Sequence, residues 1–242
     1  MDSMLLLHLM SQIFPQKIRV IYIDHQLQSK SAEWGEFVAK QATHLNIPYT
    51  IQKVQVTDGN LEAQARQARY QAYLQHLQAN EILVLAHHQQ DQAETVILRL
   101  LSGAGVDGLA AMQSIDHRVD MTIWRPFLDL TREQIAEWTT QLEIEYVVDP
   151  TNYDIHYDRA WSREELWPFL QNRFPKMQQA LSRTSYLMQD ASEILEEVLK
   201  ADLQNCGTDE CLDLTQLLEL SSARQRQLLS VWMKGDGQYR PA

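Results

Sequence analysis

The residues best equipped for chemistry lie together in Ala86-His87-His88-Gln89-Gln90-Asp91-Gln92-Ala93-Glu94-Thr95, where an apolar run, Ile82 to Leu85, gives way to an amphipathic helical pattern. Two imidazoles and two carboxylates at one strand end are costly to desolvate, so a stabilising role alone explains them poorly. In an open α/β sheet the loop after each parallel strand opens at the carboxyl edge, and the following helix presents unpaired N–H groups there. Three chemistries suit these residues. Asp91 and Glu94 can occupy the first turn of a helix, where carboxylates favour the dipole. His87, His88 and Asp91 can form the metal site of a hydrolase. The whole stretch can also be a catalytic or nucleotide-binding edge.

The elements that must position these residues follow from hydropathy periods. Residues 4 to 14 read as a helix stopped by Pro15, and Ile18 to Ile23 reads as a buried strand ending at Asp24-His25-Gln26-Leu27. Trp34, Phe37, Val38, Ala42 and Leu45 recur at helical spacing until Asn46 and Pro48, and Tyr49 to Val56 alternates like a half-exposed strand. Leu61 to Leu77 is an Ala- and Gln-rich helix carrying Glu62, Arg66, Arg69 and Tyr70, followed by a strand at Glu81 to Ala86 and a helix at Asp91 to Leu101. Gly103, Gly105 and Gly108 spell G-x-G-x-x-G but follow a helix, so they read as a flexible loop and not as a dinucleotide fingerprint.

Strands alternating with helices through residue 125 imply an α/β fold with a parallel sheet covered on both faces. Beyond Arg125-Pro126 the pattern turns helical. Thr131-x-x-Gln134, Ser162-x-x-Glu165 and Ser222-x-x-Gln225 read as helix starts. Pro175 to Leu199 carries a core stripe of Met177, Leu181, Leu187, Met188, Ile194, Leu195 and Val198, and Gly235, Gly237 and Pro241 resemble the beginning of a linker. The expected division lies near residue 155, with an α/β domain over 1–155 and a smaller all-α domain over 156–242.

Composition narrows the function. A chain of 242 residues, 45% hydrophobic, can bury a substantial core. No segment is apolar and long enough to span a membrane, and Asp2 replaces the basic leader of a signal peptide, so a cytoplasmic protein is expected. Cys206 and Cys211 form an isolated pair, a weak metal signal, and are expected reduced. The net charge of -11 argues against a uniformly basic nucleic-acid surface. It leaves room for a local basic face at Arg159, Arg163, Arg173, Lys176 and Arg183, whose bland alternative is a solvated helix face.

Several short motifs occur in a recognisable order. They are Met1-Asp2-Ser3 as the tail of SGGxDS, Asp24-His25-Gln26-Leu27 against DHGL, Asn60 to Tyr70 against NxExxARxxRY, the HHxDDQxET block, RPxLxx at Arg125, and DPTN at Asp149. In this order and spacing the chain resembles the tRNA(Ile)-lysidine synthetase family of PP-loop ATP pyrophosphatases. The resemblance implies a Rossmann-like PP-loop sheet and a two-step ligation. ATP adenylates the oxygen at carbon 2 of the wobble cytidine of tRNA(Ile) with a CAU anticodon, and the side-chain amine of free L-lysine then displaces AMP.

On that resemblance Asp2 and Ser3 bind phosphate, with Asp2 orienting Mg, and Asp24 and His25 complete the ATP site. Asp91 and Glu94 hold the lysine cation or take its proton, with Asp2 and Arg66 also in the catalytic group. His87, His88, Arg69, Arg125, Arg159 and Arg163 face the substrate. For Arg66 the bland role is a surface pair with Glu62. Three departures stand out. The chain begins inside SGGxDS, so the strand expected to be central does not precede it; neighbouring strands should then lack a ladder partner, as in a fragment or a misplaced start. Gln90 replaces the first of two adjacent acids, and Arg159-Ala160-Trp161-Ser162-Arg163 stands where the resemblance implies an RNxxR run, keeping both arginines but not the asparagine. The competing expectations are another PP-loop tRNA-modifying enzyme, such as a thiolase, and a protein that binds tRNA or nucleotide without catalysis. A thiolase should have cysteines near the active edge.

Overall fold

The computed structural model describes residues 1–56 and 61–234, except the side chains of Glu62, Thr151, Asn152 and Lys234. Asn60 of the arginine motif and the linker glycines 235 and 237 with Pro241 therefore lie outside the described residues. Helix α1 (Asp2–Ile13) is apolar on most sides and is accordingly central: Met4 to Leu7 and Met10 are buried among Ala42, Ile47, Phe127, Ile135 and Ile144. β1 (Val20–Asp24), α2 (Ser31–His44) and β2 (Tyr49–Lys53) form a parallel β-α-β unit, with Val20 opposite Tyr49 and Asp24 opposite Lys53. Asn46, at φ 56°, makes the left-handed turn that ends α2 before Pro48.

α3 (Leu61–His76) leads to β3 (Ile82–Val84), and α4 (Gln89–Leu101) follows from the strand's carboxyl end. β3 pairs parallel with β5 (Thr122–Trp124), which pairs antiparallel with β4 (Ile115–His117). The expected parallel pairings are present in β1-β2 and β3-β5, and β4 adds one antiparallel edge strand that the alternation of strands and helices does not show. A four-residue connection joins β4 to β5 as a hairpin, too short for the crossover that parallel pairing requires. The Gly103–Gly108 segment is also more ordered than a flexible loop, because Val106–Leu109 forms the short helix α5. Arg99 fixes this turn by donating to the carbonyls of Gly108 and Ala111.

The strands form two separate sheets, β1-β2 and β3-β5-β4. Among the described residues neither β1 nor β3 has a ladder partner on its second edge, as the motif at the chain's start leads one to expect. A cavity of about 1420 Å³ lies between these edges, with the apolar side chains of β1, β3 and α1 along its walls. The two sheets are tied by Arg19, whose Nε donates to Glu81 Oε1 at 2.8 Å and whose Nη2 donates to the carbonyl of His76.

From α6 (Arg132–Gln141) onward the named elements are helical. Thr131 caps α6 as expected, with Gln134 N–H donating to its Oγ1 at 3.2 Å and Gln134 Oε1 accepting from its N–H at 2.9 Å. A 3-10 turn (Pro150–Tyr153) and α7 (Asp158–Trp161) run straight into a π-helical turn (Ser162–Leu166) and α8 (Trp167–Arg173). Ser162 consequently does not start a helix: its backbone is already helical and its buried hydroxyl has no partner.

α9 (Met177–Cys206) extends beyond the expected Leu199, packing against α4 through Met177 and Leu181 and against α10 (Leu214–Glu219) and α11 (Ser222–Lys234) through Leu195, Leu199 and Cys206. Two members of the expected stripe, Leu187 and Ile194, are 54% and 62% exposed and do not belong to the core. For α11 the N-terminal hydroxyl comes one residue earlier than expected, with Ser221 Oγ accepting from Arg224 N–H. Cys206 is a buried free thiol and Cys211 an exposed one. Among the described residues no helix is long and apolar enough to cross a membrane.

Candidate functional site at the strand ends

α4 starts at Gln89, which places Asp91 in its first turn. There Asp91 Oδ2 accepts the backbone N–H of His88 at 3.0 Å, satisfying one helix-start donor, so the bland reading of Asp91 is part of the truth. It is only part, because Asp91 and Glu94, one turn apart on the buried face of α4, share the guanidinium of Arg163. Arg163 Nε donates to Glu94 Oε1 at 2.6 Å, and Nη2 donates to Glu94 Oε2 at 2.9 Å and to Asp91 Oδ1 at 3.1 Å. Glu94 is fully buried and also accepts from Gln90 Nε2 at 3.0 Å, so the residue that replaces an expected acid acts as a donor to the remaining one. Burial pushes the Asp91 carboxyl up, but the neighbouring imidazoles of His88 and His87, the His88 N–H and Arg163 outweigh it and hold the group below its ordinary value.

The π-helical turn carries Arg163 to this pair. One extra residue in that turn re-aims the side chains on either side of it, a device common at functional sites. Sequence reading placed Arg163 on a basic outer face with Arg173, Lys176 and Arg183. The structure splits this group: the latter three are exposed, while Arg163 turns inward. Asp2 lies near enough to act on Arg163 electrostatically, and its Oδ1 is buried without a partner.

On the other side of His87 the charge is positive. Arg66, from the middle of α3, lies 4.9 Å over the Tyr70 ring, and Arg118, from the β4–β5 turn, lies 5.1 Å from the same ring. Burial lowers the Arg66 guanidinium below its ordinary value; Tyr70 opposes this, and Arg159, Arg69 and Arg118 lower it further. The cavity is lined at this polar end by Ser3, His25, Arg66, Arg69, Arg159 and Arg163. His25 Nδ1 is buried without a partner, and burial, with Arg69 nearby, keeps its ring below the ordinary range. Asp24 plays a local part, its Oδ1 accepting the Gln26 N–H at 2.8 Å to close the turn after β1.

Arg125 joins the two sides. Its side chain is 1% exposed, and it donates from Nη1 to the Gln113 carbonyl at 2.7 Å and from Nε to His87 Nδ1 at 3.3 Å. Its Nη2 reaches Asp116 Oδ2 at 3.5 Å, and the same oxygen accepts from Arg118 Nη2 at 2.8 Å. His88 is buried as the residue before α4, with Nδ1 unpartnered and Nε2 3.5 Å from Asp91 Oδ2. His87 therefore lies between arginines and carboxylates, whereas His88 belongs to the helix start.

Asp116 and Arg118 escaped sequence reading. An acid and a base two residues apart at a strand end, a few residues before Arg125, were the available signal. Gln92 escaped as well: fully buried, it donates to the Met112 carbonyl at 2.8 Å and to Ser185 Oγ at 2.9 Å, and accepts the Met112 N–H at 3.0 Å. It fastens α4 to α9 behind the site. Among the described residues no cluster of three His, Cys, Asp or Glu side chains is arranged to hold a metal ion, so the hydrolase reading of His87, His88 and Asp91 has no geometric support.

The arrangement has relatives. The sequence profile of the PP-loop domain matches residues 1–170. The chain belongs to the PP-loop family. It is 63% identical over 242 residues, its whole length, to the tRNA(Ile)-lysidine synthase of Acinetobacter baylyi, covering 53% of that protein. It is 38% identical over 235 residues to the enzyme of the same name from Haemophilus ducreyi, with 96% of this chain and 55% of that one covered. The match to the Coxiella burnetii protein of that name is 34% over 238 residues, covering 96% of this chain and 53% of that one. The chain thus spans about half the length of the curated relatives it matches. Among solved structures, the U34-tRNA thiolase NcsA from Methanococcus maripaludis superposes with a TM-score of 0.60 at 14% identity, covering 78% of this chain and 68% of that one. At that identity the likeness concerns the fold alone, and it places this PP-loop chain among mixed α/β folds built on a parallel sheet.

Proposed function

We propose that this PP-loop chain is the catalytic portion of a tRNA(Ile)-lysidine synthetase, a carbon–nitrogen ligase acting in the cytoplasm. It uses ATP to adenylate the wobble cytidine of tRNA(Ile) with a CAU anticodon and joins free L-lysine to carbon 2. The observation that carries this reading is the meeting of a buried carboxylate pair and an arginine group across His87, in a chain that matches about half the length of enzymes of that name. In the first step the cytidine O2 attacks the α-phosphate and pyrophosphate leaves. Negative charge on the phosphates calls for fixed cations, which Arg66, Arg69 and Arg159 supply at the polar end of the cavity, beside Ser3 and His25.

In the second step the lysine amine attacks carbon 2 and AMP leaves with the electron pair of the C–O bond. The amine arrives protonated and must lose a proton before it attacks. Asp91 and Glu94 with Arg163 seated between them carry a net charge of about -1, enough to hold one ammonium group and receive its proton. Arg125 acts on the substrate side through His87, and His88 supports Asp91. Asp24 shapes the turn that presents His25. A magnesium ion fits this donor set modestly: the unpartnered Oδ1 of Asp2 offers one carboxylate oxygen, and Mg is often held by one or two carboxylates with substrate phosphates. Bound there with ATP it would neutralise phosphate charge. The reading includes a division near residue 155 between an ATP-binding unit and a helical substrate-binding unit. It does not favour a thiolase, since Cys206 is enclosed with Leu217 and Leu228 in the helical core.

The test is incorporation of labelled lysine into a tRNA(Ile) transcript with a CAU anticodon, in the presence of ATP and Mg. It should be run with this chain and with a form extended at both ends to the length of its relatives. Lysine-dependent label in the extended form supports the ligase, and its loss in Asp91→Asn supports the role of the carboxylate pair. Nucleotide and tRNA binding without label in either form would replace the ligase with a non-catalytic binding protein.

A further inference from the structure

We propose that Asp116 and Arg125 are positioning residues that lock His87 in its Nε2–H tautomer, making His87 a standing hydrogen-bond donor to the anionic phosphate of the nucleotide. The assignment follows from what each atom can do. A guanidinium has only donors, so Arg125 Nε, 3.3 Å from His87 Nδ1, can only donate to it. Nδ1 must then present its lone pair, and the single proton of the neutral ring sits on Nε2.

The donor is fixed in turn. Arg125 is held at Nη1 by the Gln113 carbonyl and at Nη2 by Asp116, and Asp116 is braced by Nε and Nη2 of Arg118 at 3.1 and 2.8 Å. The chain Arg118, Asp116, Arg125, His87 runs from the hairpin surface to the carboxyl end of β3, each member set by the one before. His87 Nε2 makes no hydrogen bond among the described residues and is not sealed from solvent. Burial keeps the ring neutral: among the charges near it Asp91 acts most strongly and favours the protonated form, and Arg125, Arg159 and Arg69 oppose it. An imidazole that stays neutral there cannot shuttle protons at neutral pH; it can donate one hydrogen bond in a fixed direction at no cost of reorganisation.

The donor role rests on the nucleotide-site reading above, whereas the tautomer does not. Both are tested on the full chain. Long-range proton–nitrogen correlation spectra of histidine-labelled protein at pH 7, with His87 assigned by the signals lost in His87→Gln, should show a bare Nδ1 and a protonated Nε2. Arg125→Met should give a mixture of tautomers, and Asp116→Ala should shift the balance in the same direction. An Nδ1–H tautomer or an even mixture in the unaltered chain overturns the relay without needing any variant, should Arg125→Met fail to fold.

In the second arm ATP binding is measured. His87→Gln, whose amide N–H reaches the position of Nε2, should stay within about threefold of the unaltered chain, and His87→Ala should bind about tenfold more weakly. Equal losses in the two variants overturn the donor role. No ATP binding by the unaltered chain overturns that role together with the reading beneath it, while the spectra still judge the relay alone.

Discussion

Replacing Arg163 by Met removes three donated hydrogen bonds and the one guanidinium shared by Asp91 and Glu94, while keeping an unbranched apolar stem of similar length. The loss is therefore chiefly electrostatic. Glu94 is fully buried and would keep only the Gln90 amide; Asp91 would keep the His88 N–H. Breaking a buried pair from one side costs about 3–5 kcal/mol. Those two residual donors put the expected loss near the lower bound, about 3 kcal/mol. With a urea m-value of about 2 kcal/mol/M the midpoint should fall by about 1.5 M, with the slope unchanged. In the double variant Arg163→Met with Glu94→Gln the loss should be smaller than the sum of the single losses, because the second change removes the charge that the first left stranded. A loss below about 1 kcal/mol for Arg163→Met would put the pair in the range of exposed ion pairs and refute its buried, charge-sharing character.

Protonation of His87 gives a second test. Its ring is pushed from the ordinary 6.5 down to about 3, first by burial and then by Arg125, Arg159 and Arg69 against the opposing charge of Asp91. The unfolded chain then binds the proton more readily, so the contribution of the neutral ring is complete above pH 6.5 and is lost as pH falls from there toward about 3. Urea midpoints between pH 7.5 and 5 should fall for the unaltered chain and fall less for His87→Gln; equal slopes would remove His87 from the account. Gln92→Leu should cost about 1–3 kcal/mol in the same assay, by orphaning the buried N–H of Met112 while its carbonyl keeps the Gln189 amide, and little change would mean that water replaces the Gln92 amide. Arg66→Ala should weaken ATP binding about tenfold by removing a fixed cation from the nucleotide phosphates; an unchanged affinity by titration calorimetry would leave Arg66 as a stacking partner of Tyr70 only.

Much of the polar end of the site was legible because helix and strand periods are local. The apolar run at Ile82 to Leu85 followed by His87 to Glu94 put the imidazoles at a strand end and the two acids one turn apart on a helix, and the fold keeps them there. Arg66 and Arg69 likewise share a turn of α3 and reach the cavity together. The hairpin was not legible. Its strands are three residues each, too short for a period to emerge, so β4 and β5 and the Asp116–Arg118 pair between them were passed over.

Most helices, the strands up to Ala86, their order and the family are written in local pattern, since apolar spacing, caps such as Thr131 and motif order are properties of neighbours along the chain. Only the tertiary structure decided the partners across the chain: that Arg163 turns in to Asp91 and Glu94 and not out to solvent, that Gln92 reaches Met112 and Ser185, and that Arg125 donates to His87. Such contacts join residues 20 to 93 positions apart, and each replaces water at a buried charge or amide. Their cost depends on how many donors meet at one point in space. No residue type or local spacing encodes that number.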